Sequence, residues 1–105
     1  MLSYFQVREQ SMEPAFYEGD FVLVERMSHL FLKPRVGQVV IVKDPRDKEK
    51  LLLKRIVQEK GGKYWVKGDN TSKSTDSRHF GWLEKGLFAG KVIHRTGPLD
   101  RSIMI

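Results

Sequence analysis

Residues 51–67 read Leu51-Leu52-Leu53-Lys54-Arg55-Ile56-Val57-Gln58-Glu59-Lys60-Gly61-Gly62-Lys63-Tyr64-Trp65-Val66-Lys67. Two runs rich in aliphatic, β-branched and aromatic residues flank a Gly-Gly pair, the pattern of antiparallel strands joined by a tight hairpin. The spacing predicts strands over Leu51–Gln58 and Lys63–Lys67. Successive strand residues point to opposite faces, so Lys54 shares a face with Leu52 and Ile56.

The same punctuation extends in both directions. Predicted strands cover Phe5–Glu9, Phe21–Arg26, Gln38–Lys43 and Leu87–His94, and Pro45-Arg46-Asp47-Lys48 reads as a polar turn. Helical signal is confined to one turn over Met12–Tyr17, with Ser11 as a plausible N-cap and Pro14 tolerated near the start. No sustained 3.6-residue apolar period, repeat or linker composition interrupts this reading. The expectation is a single all-β domain over residues 1–105, built of antiparallel sheets or a partly open barrel, with at most short helical turns.

Composition sets the bounds. The chain has 105 residues, of which 40 % are hydrophobic and 30 % charged, the balance of an ordinary globular domain. With no cysteine, disulfide scaffolds, thiolate zinc sites and cysteine nucleophiles are excluded. The net charge of +6 would suit nucleic acid or an anionic membrane. The basic residues are spread along the chain, however, with their densest runs at Lys43–Lys50 and Lys54–Lys67 and no basic helix or arginine-rich arm. No apolar run approaches the roughly 18–20 residues of a membrane span. The opening Met1-Leu2-Ser3-Tyr4-Phe5 is too short for a signal-peptide core. These readings imply a cytoplasmic chain, with membrane association as the alternative.

Three segments carry candidate chemistry. In Glu9-Gln10-Ser11-Met12-Glu13-Pro14, a serine follows a strand and precedes a proline-stiffened turn, which can expose both its Oγ and its main-chain N–H. A nucleophile needs the first for attack and the second for the developing oxyanion. In the strand around Lys54, an ammonium sits among aliphatic side chains. Burial lowers an amine's pKa, and a neutral amine can take a proton from a serine hydroxyl. Arg55 beside it is permanently charged and cannot act as base. The third segment runs Lys67-Gly68-Asp69-Asn70, then Ser72, Ser74, Asp76, Ser77, Arg78 and Phe80-Gly81. It reads as a turn-forming, hydrogen-bond-rich loop in which Asp76 and Arg78 could each reach a partner, and Ser74 could orient a lysine amine. Taken singly, the three also fit a turn cap, a surface lysine and a polar loop.

Taken together and in order, they resemble a known family. Ser11-Met12-x-Pro14, Gly19-Asp20, Gly37-x-Val39-Val40 with Pro45, Lys54-Arg55, and Gly68-Asp69-Asn70 through Ser74-x-Asp76-Ser77-Arg78-x-Phe80-Gly81 resemble the motifs of type I signal peptidases, the S26-type Ser/Lys endopeptidases. The likeness runs from about Val7 to Val92. It implies a mainly β fold, Ser11 as acylated nucleophile and Lys54 as general base. It further implies Ser74 as the hydroxyl bonded to the amine, with Asp69, Asp76 and Arg78 bracing the loop. No cofactor or metal is implied, and the substrate is a precursor protein bound as an extended peptide.

Departures from the family pattern are part of the reading. Glu9 stands where relatives commonly have serine or glycine, and it is expected to point away from the oxyanion, leaving the Ser11 N–H as main donor. Ala15 replaces a usual threonine. The large insertion of bacterial leader peptidases shrinks to the Gly61-Gly62 hairpin, and the chain is expected to lack the membrane anchor. On that basis the chain is similar to the anchorless peptidases that mature nickel superoxide dismutase, and also to mitochondrial inner-membrane and archaeal signal peptidases.

Other classes compete. A small basic β-barrel could bind single-stranded nucleic acid through Tyr64, Trp65 and Phe80, but adjacent strand residues point opposite ways, and the family resemblance implies no nucleic-acid partner. A Ser-His-Asp hydrolase using His79 or His94 lacks a Gly-x-Ser-x-Gly elbow at Ser11. His29, His79 and His94 lack metal-ligand spacing on one element. Core packing is expected for Trp82 and Phe88, and the tail Ser102-Ile103-Met104-Ile105 is too short to read.

Overall fold

A computed structural model describes residues 2–27 and 32–97 and folds them around one open sheet of seven strands. In chain order these are β1 (Leu2–Gln6), β2 (Phe21–Glu25), β3 (Val39–Asp44), β4 (Asp47–Lys60) and β5 (Lys63–Lys67), then the single-turn helix α1 (Ser77–Phe80), β6 (Leu83–Glu84) and β7 (Phe88–Gly97). All pairings are antiparallel, in the order β1-β2-β7-β3-β4-β5-β6. The all-β expectation holds, as an open sheet and not as a barrel.

The β4–β5 hairpin turns at Gly61 and Gly62 with φ of 60° and 80°. Both central residues lie in the left-handed region, where glycine alone pays little steric cost, and this matches the twist of the flanking strands. The central strand β3 is buried on both faces, which explains why Val39-Val40-Ile41-Val42 is a continuous apolar run and not an alternation. Val39 and Ile41 pack with Val7, Met12, Phe16, Val22 and Val24, while Val40 and Val42 pack with Leu52, Ile56, Tyr64, Val66, Leu83 and Phe88. The register pairs Val40 with Lys54, so the second of these cores surrounds the lysine.

Several boundaries differ from the sequence reading. The first strand is Leu2–Gln6 and not Phe5–Glu9, because its ladder with β2 ends at Gln6 opposite Phe21. Beyond it, the Val7 N–H bonds Asp20 O and the Gly19 N–H bonds Val7 O, both at 2.8 Å. Only Pro45 and Arg46 form the polar turn, and Asp47 onward belongs to β4. The helical turn expected over Met12–Tyr17 does not form: residues 11–15 make a non-helical turn with a cis Glu13–Pro14 peptide, crossed by one bond from Phe16 N–H to Met12 O at 2.9 Å.

Helix α1 forms where the sequence spells a loop. Asp76 caps it by accepting from the Arg78 N–H at 3.1 Å, and His79 Nδ1 accepts the Asp76 N–H at 3.2 Å, a capping box. Phe88 is buried as expected, whereas Trp82 stays 37 % exposed and stacks edge-to-face on Trp65 with centroids 5.1 Å apart. His29 and the tail from Ser102 lie outside the described residues. Among the described residues, no helix is long and apolar enough to cross a membrane.

Candidate active site

Lys54 sits mid-strand in β4 with Leu52 and Ile56 on its face, and all three are buried, Lys54 to 1 % exposure. The period-2 reading of this segment is therefore correct. Burial pushes the Lys54 amine below the usual lysine range. The charges of Asp76 and Glu9 pull it back up, and those of Arg78 and Lys50 push it down again.

The amine donates to Ser74 Oγ at 3.0 Å. That hydroxyl also accepts the Gly68 N–H at 3.1 Å and donates its own proton to Asp76 Oδ2 at 2.7 Å. A hydroxyl has one proton and two lone pairs, so Ser74 is fully committed. It can only accept from Lys54. An uncharged Lys54 must therefore spend an N–H on Ser74 and keep its lone pair for another group.

Asp76 anchors the far end. It is fully buried and accepts from Ser74, the Gly68 N–H at 3.0 Å, and Arg78 through the main-chain N–H, Nε at 2.9 Å and Nη2 at 3.0 Å. Burial alone would raise its pKa. The hydrogen bonds from Arg78, Gly68 and Ser74 outweigh burial and hold the carboxyl well below the usual carboxylate range. Arg78 also donates to Thr71 O at 2.9 Å, tying the segment after β5 to the cap of α1. The sequence reading expected Asp76 and Arg78 to brace the loop, and here they brace it largely through each other.

Asp69 braces differently. Arg55, next to Lys54 on the opposite face of β4, grips Asp69 through Nε at 3.0 Å and Nη2 at 2.9 Å and also donates to Gly37 O at 2.9 Å. The Asp69 N–H points at Met12 Sδ, 3.4 Å away. Asn70 continues the stitch, its N–H to Ser11 O at 2.8 Å and its Nδ2 to Gln10 O at 3.1 Å. Gly68 permits the close approach, since a Cβ there would land on Ser74 Oγ and on the Ser11 carbonyl.

Ser11 is therefore held by its backbone against the segment that carries Ser74. Ser11 is buried to 4 % exposure, and it lines a groove of about 370 Å³. One wall of the groove is the chain from Tyr4 to Glu9; the other is Leu51–Leu53, with Val22 and Ile41 between them. Among the described residues, neither the Ser11 Oγ nor its N–H has a hydrogen-bond partner, and the side-chain bond of Lys54 goes to Ser74, not to Ser11. No group of three or more His, Cys, Asp or Glu among the described residues is disposed to hold a metal ion.

Three contributions are not announced by the sequence: Asn70 reaches the Gln10 carbonyl, Arg55 clamps Asp69, and Gly68 supplies room where a Cβ would collide. The aromatic platform of the nucleic-acid alternative does not assemble. Tyr64 is 1 % exposed, inside the core against Phe88.

The antiparallel sheet thus buries the Lys54 amine against the Ser74 hydroxyl and sets Ser11 in the wall of a groove. The sequence profile of the family "Signal peptidase, peptidase S26" matches residues 1–61 and 59–96, and the chain belongs to that family. It is 35 % identical over 121 residues to the mitochondrial ATP-independent inner membrane protease subunit 1a of Arabidopsis thaliana, covering 93 % of this chain and 72 % of that protein. It is 31 % identical over 110 residues to the mitochondrial inner membrane protease subunit 1 of Homo sapiens, covering 86 % and 66 %. Against subunit 2 of Schizosaccharomyces pombe it is 29 % identical, covering 97 % and 68 %. The chain thus spans about two thirds to three quarters of these relatives' length. Their names join them to a membrane, and the cytoplasmic expectation gains no support from them.

Proposed function

We propose that this chain is a serine endopeptidase that removes an N-terminal leader from a precursor protein, with Ser11 as nucleophile and Lys54 as general base. The observation that carries the reading is the buried Lys54 amine bonded to a Ser74 hydroxyl whose only proton is already given to Asp76. In the proposed reaction, the Lys54 lone pair takes the Ser11 proton as Oγ attacks the scissile carbonyl. The Ser11 N–H, without a partner among the described residues, receives the developing oxyanion. The Lys54 ammonium then protonates the leaving amine, and an acyl-enzyme ester remains. Water, deprotonated by Lys54, attacks that ester, releases the new carboxylate and restores the Ser11 hydroxyl.

An extended precursor segment fits the groove between residues 4–9 and Leu51–Leu53, where β1 is an edge strand able to accept another strand. By likeness to the inner-membrane protease subunits, the precursor is met at a membrane surface. The test is cleavage of a leader-bearing precursor by wild type, Ser11→Ala and Lys54→Met, with thermal melts to establish folding. Each substitution is expected to lower turnover on the order of a thousandfold or more. Retained cleavage in either folded variant overturns the reading.

A further inference from the structure

The groove beside Ser11 is apolar along most of its walls, with Phe5, Val7, Val22, Ile41 and Leu52 among its lining. Its charged lining residues are Arg8 and Glu9. Glu9 stands two residues before Ser11 and lines the same groove, and its charge favours the Lys54 ammonium. Among the described residues Glu9 has no ion pair and no side-chain hydrogen bond, in a chain of net charge +6. An uncommitted carboxylate in the wall of a binding groove has a consequence. A peptide laid across it strips away its water, and that cost is recovered only by a cation or donor on the peptide. An acidic side chain at the same place is repelled.

We propose that Glu9 is a specificity-determining residue, selecting precursors with a lysine or arginine at one position flanking the scissile bond and rejecting aspartate and glutamate there. This rests on the peptidase reading above and deepens it. Glu9 needs no part in bond breaking for this. Its influence on the amine gives a second, separable signature. Removing its charge takes away a group that favours the ammonium, so the acid limb of the pH–rate profile moves to lower pH in Glu9→Gln.

The experiment digests peptide libraries, randomised one position at a time around the cleavage site, with wild type, Glu9→Gln and Glu9→Lys. At one position, wild type is expected to cleave basic peptides about tenfold faster than the glutamine peptide, the scale of one desolvated charge contact. Glu9→Gln levels that preference, and Glu9→Lys turns it toward acidic residues. No charge preference in wild type, or a basic preference that Glu9→Gln keeps, overturns the proposal. If wild type cleaves no peptide, the same peptides are titrated against Ser11→Ala and Ser11→Ala/Glu9→Gln by fluorescence anisotropy. Tighter binding of basic peptides that the double variant loses then upholds Glu9 while the peptidase reading falls. Equal binding removes both.

Discussion

Ser74→Ala isolates the hydroxyl that the Lys54 amine rests on. The substitution leaves the Gly68 N–H with its bond to Asp76 Oδ2, and leaves Asp76 with Gly68 and three donors from Arg78. The loss therefore falls on Lys54, whose side-chain bond was to Ser74. One buried polar group left unsatisfied costs about 1–3 kcal/mol, which for a domain of this size lowers Tm on the order of 10 °C. The fold should survive. Turnover suffers more, because an amine free to rotate no longer presents its lone pair in one direction, and misplacement on the ångström scale costs roughly a hundredfold. Ser74 is not part of the groove lining, so the loss belongs in kcat with KM nearly constant. Steady-state cleavage of a fluorogenic peptide, measured well below the variant's melting point, gives both constants. Ser74→Thr, which keeps a hydroxyl, should recover part of kcat. An Ser74→Ala enzyme with kcat within about threefold of wild type, or with the whole effect in KM, would refute the assignment of Ser74 as the orienting group.

Other substitutions probe the remaining supports. Unfolded, the Lys54 amine titrates at 10.5, and burial holds the native value lower; between the two the unfolded chain binds the extra proton, so native stability falls as pH drops from 10.5 toward the native value. Lys54→Met escapes that loss and should melt higher than wild type at neutral pH, with the difference closing as melts are run toward pH 10.5. Gly68→Ala places a methyl on Ser74 Oγ and the Ser11 carbonyl; it should cost about 1–3 kcal/mol of stability and most of the activity, and an active, equally stable variant would show the two segments are free to part. Arg78→Gln removes a cation that lowers the Lys54 pKa, so the acid limb of kcat/KM against pH should move to higher pH, opposite to Glu9→Gln.

The lysine strand was readable because period-2 alternation is local: Leu52, Lys54 and Ile56 declare their shared face within five consecutive residues. The supports were less legible because they join residues far apart in sequence. Nothing near Arg55 announces Asp69, 14 positions on, and nothing near Gln10 announces the Asn70 amide, 60 positions on. The first strand was displaced because Phe5, Val7 and Glu9 alternate as well as Leu2 and Tyr4 do. The ladder is ended instead by Asp20 and Gly19, which take the Val7 backbone. Helix α1 carried a local signal, Asp76 followed three residues later by a polar His79, but a run of Ser, Asp and Gly also spells a loop.

The arrangement around Lys54 resolves a conflict between two requirements. An orienting hydroxyl needs a strong acceptor to hold its proton, and a carboxylate is the strongest available. A carboxylate beside a buried amine also favours the ammonium, which cannot act as base. Two devices separate these effects. Ser74 stands between Asp76 and Lys54, so the amine meets a hydroxyl oxygen and not a carboxylate directly. Arg78 then occupies Asp76 from the other side with Nε and Nη2, so much of the negative charge is matched by a cation that never loses its proton. Asp76 thus remains ionised enough to fix Ser74, yet its pull on Lys54 ranks behind the effect of burial. If Lys54 is the base proposed above, Arg78, which is not part of the groove lining, favours its neutral form alongside the burial provided by Leu52 and Ile56.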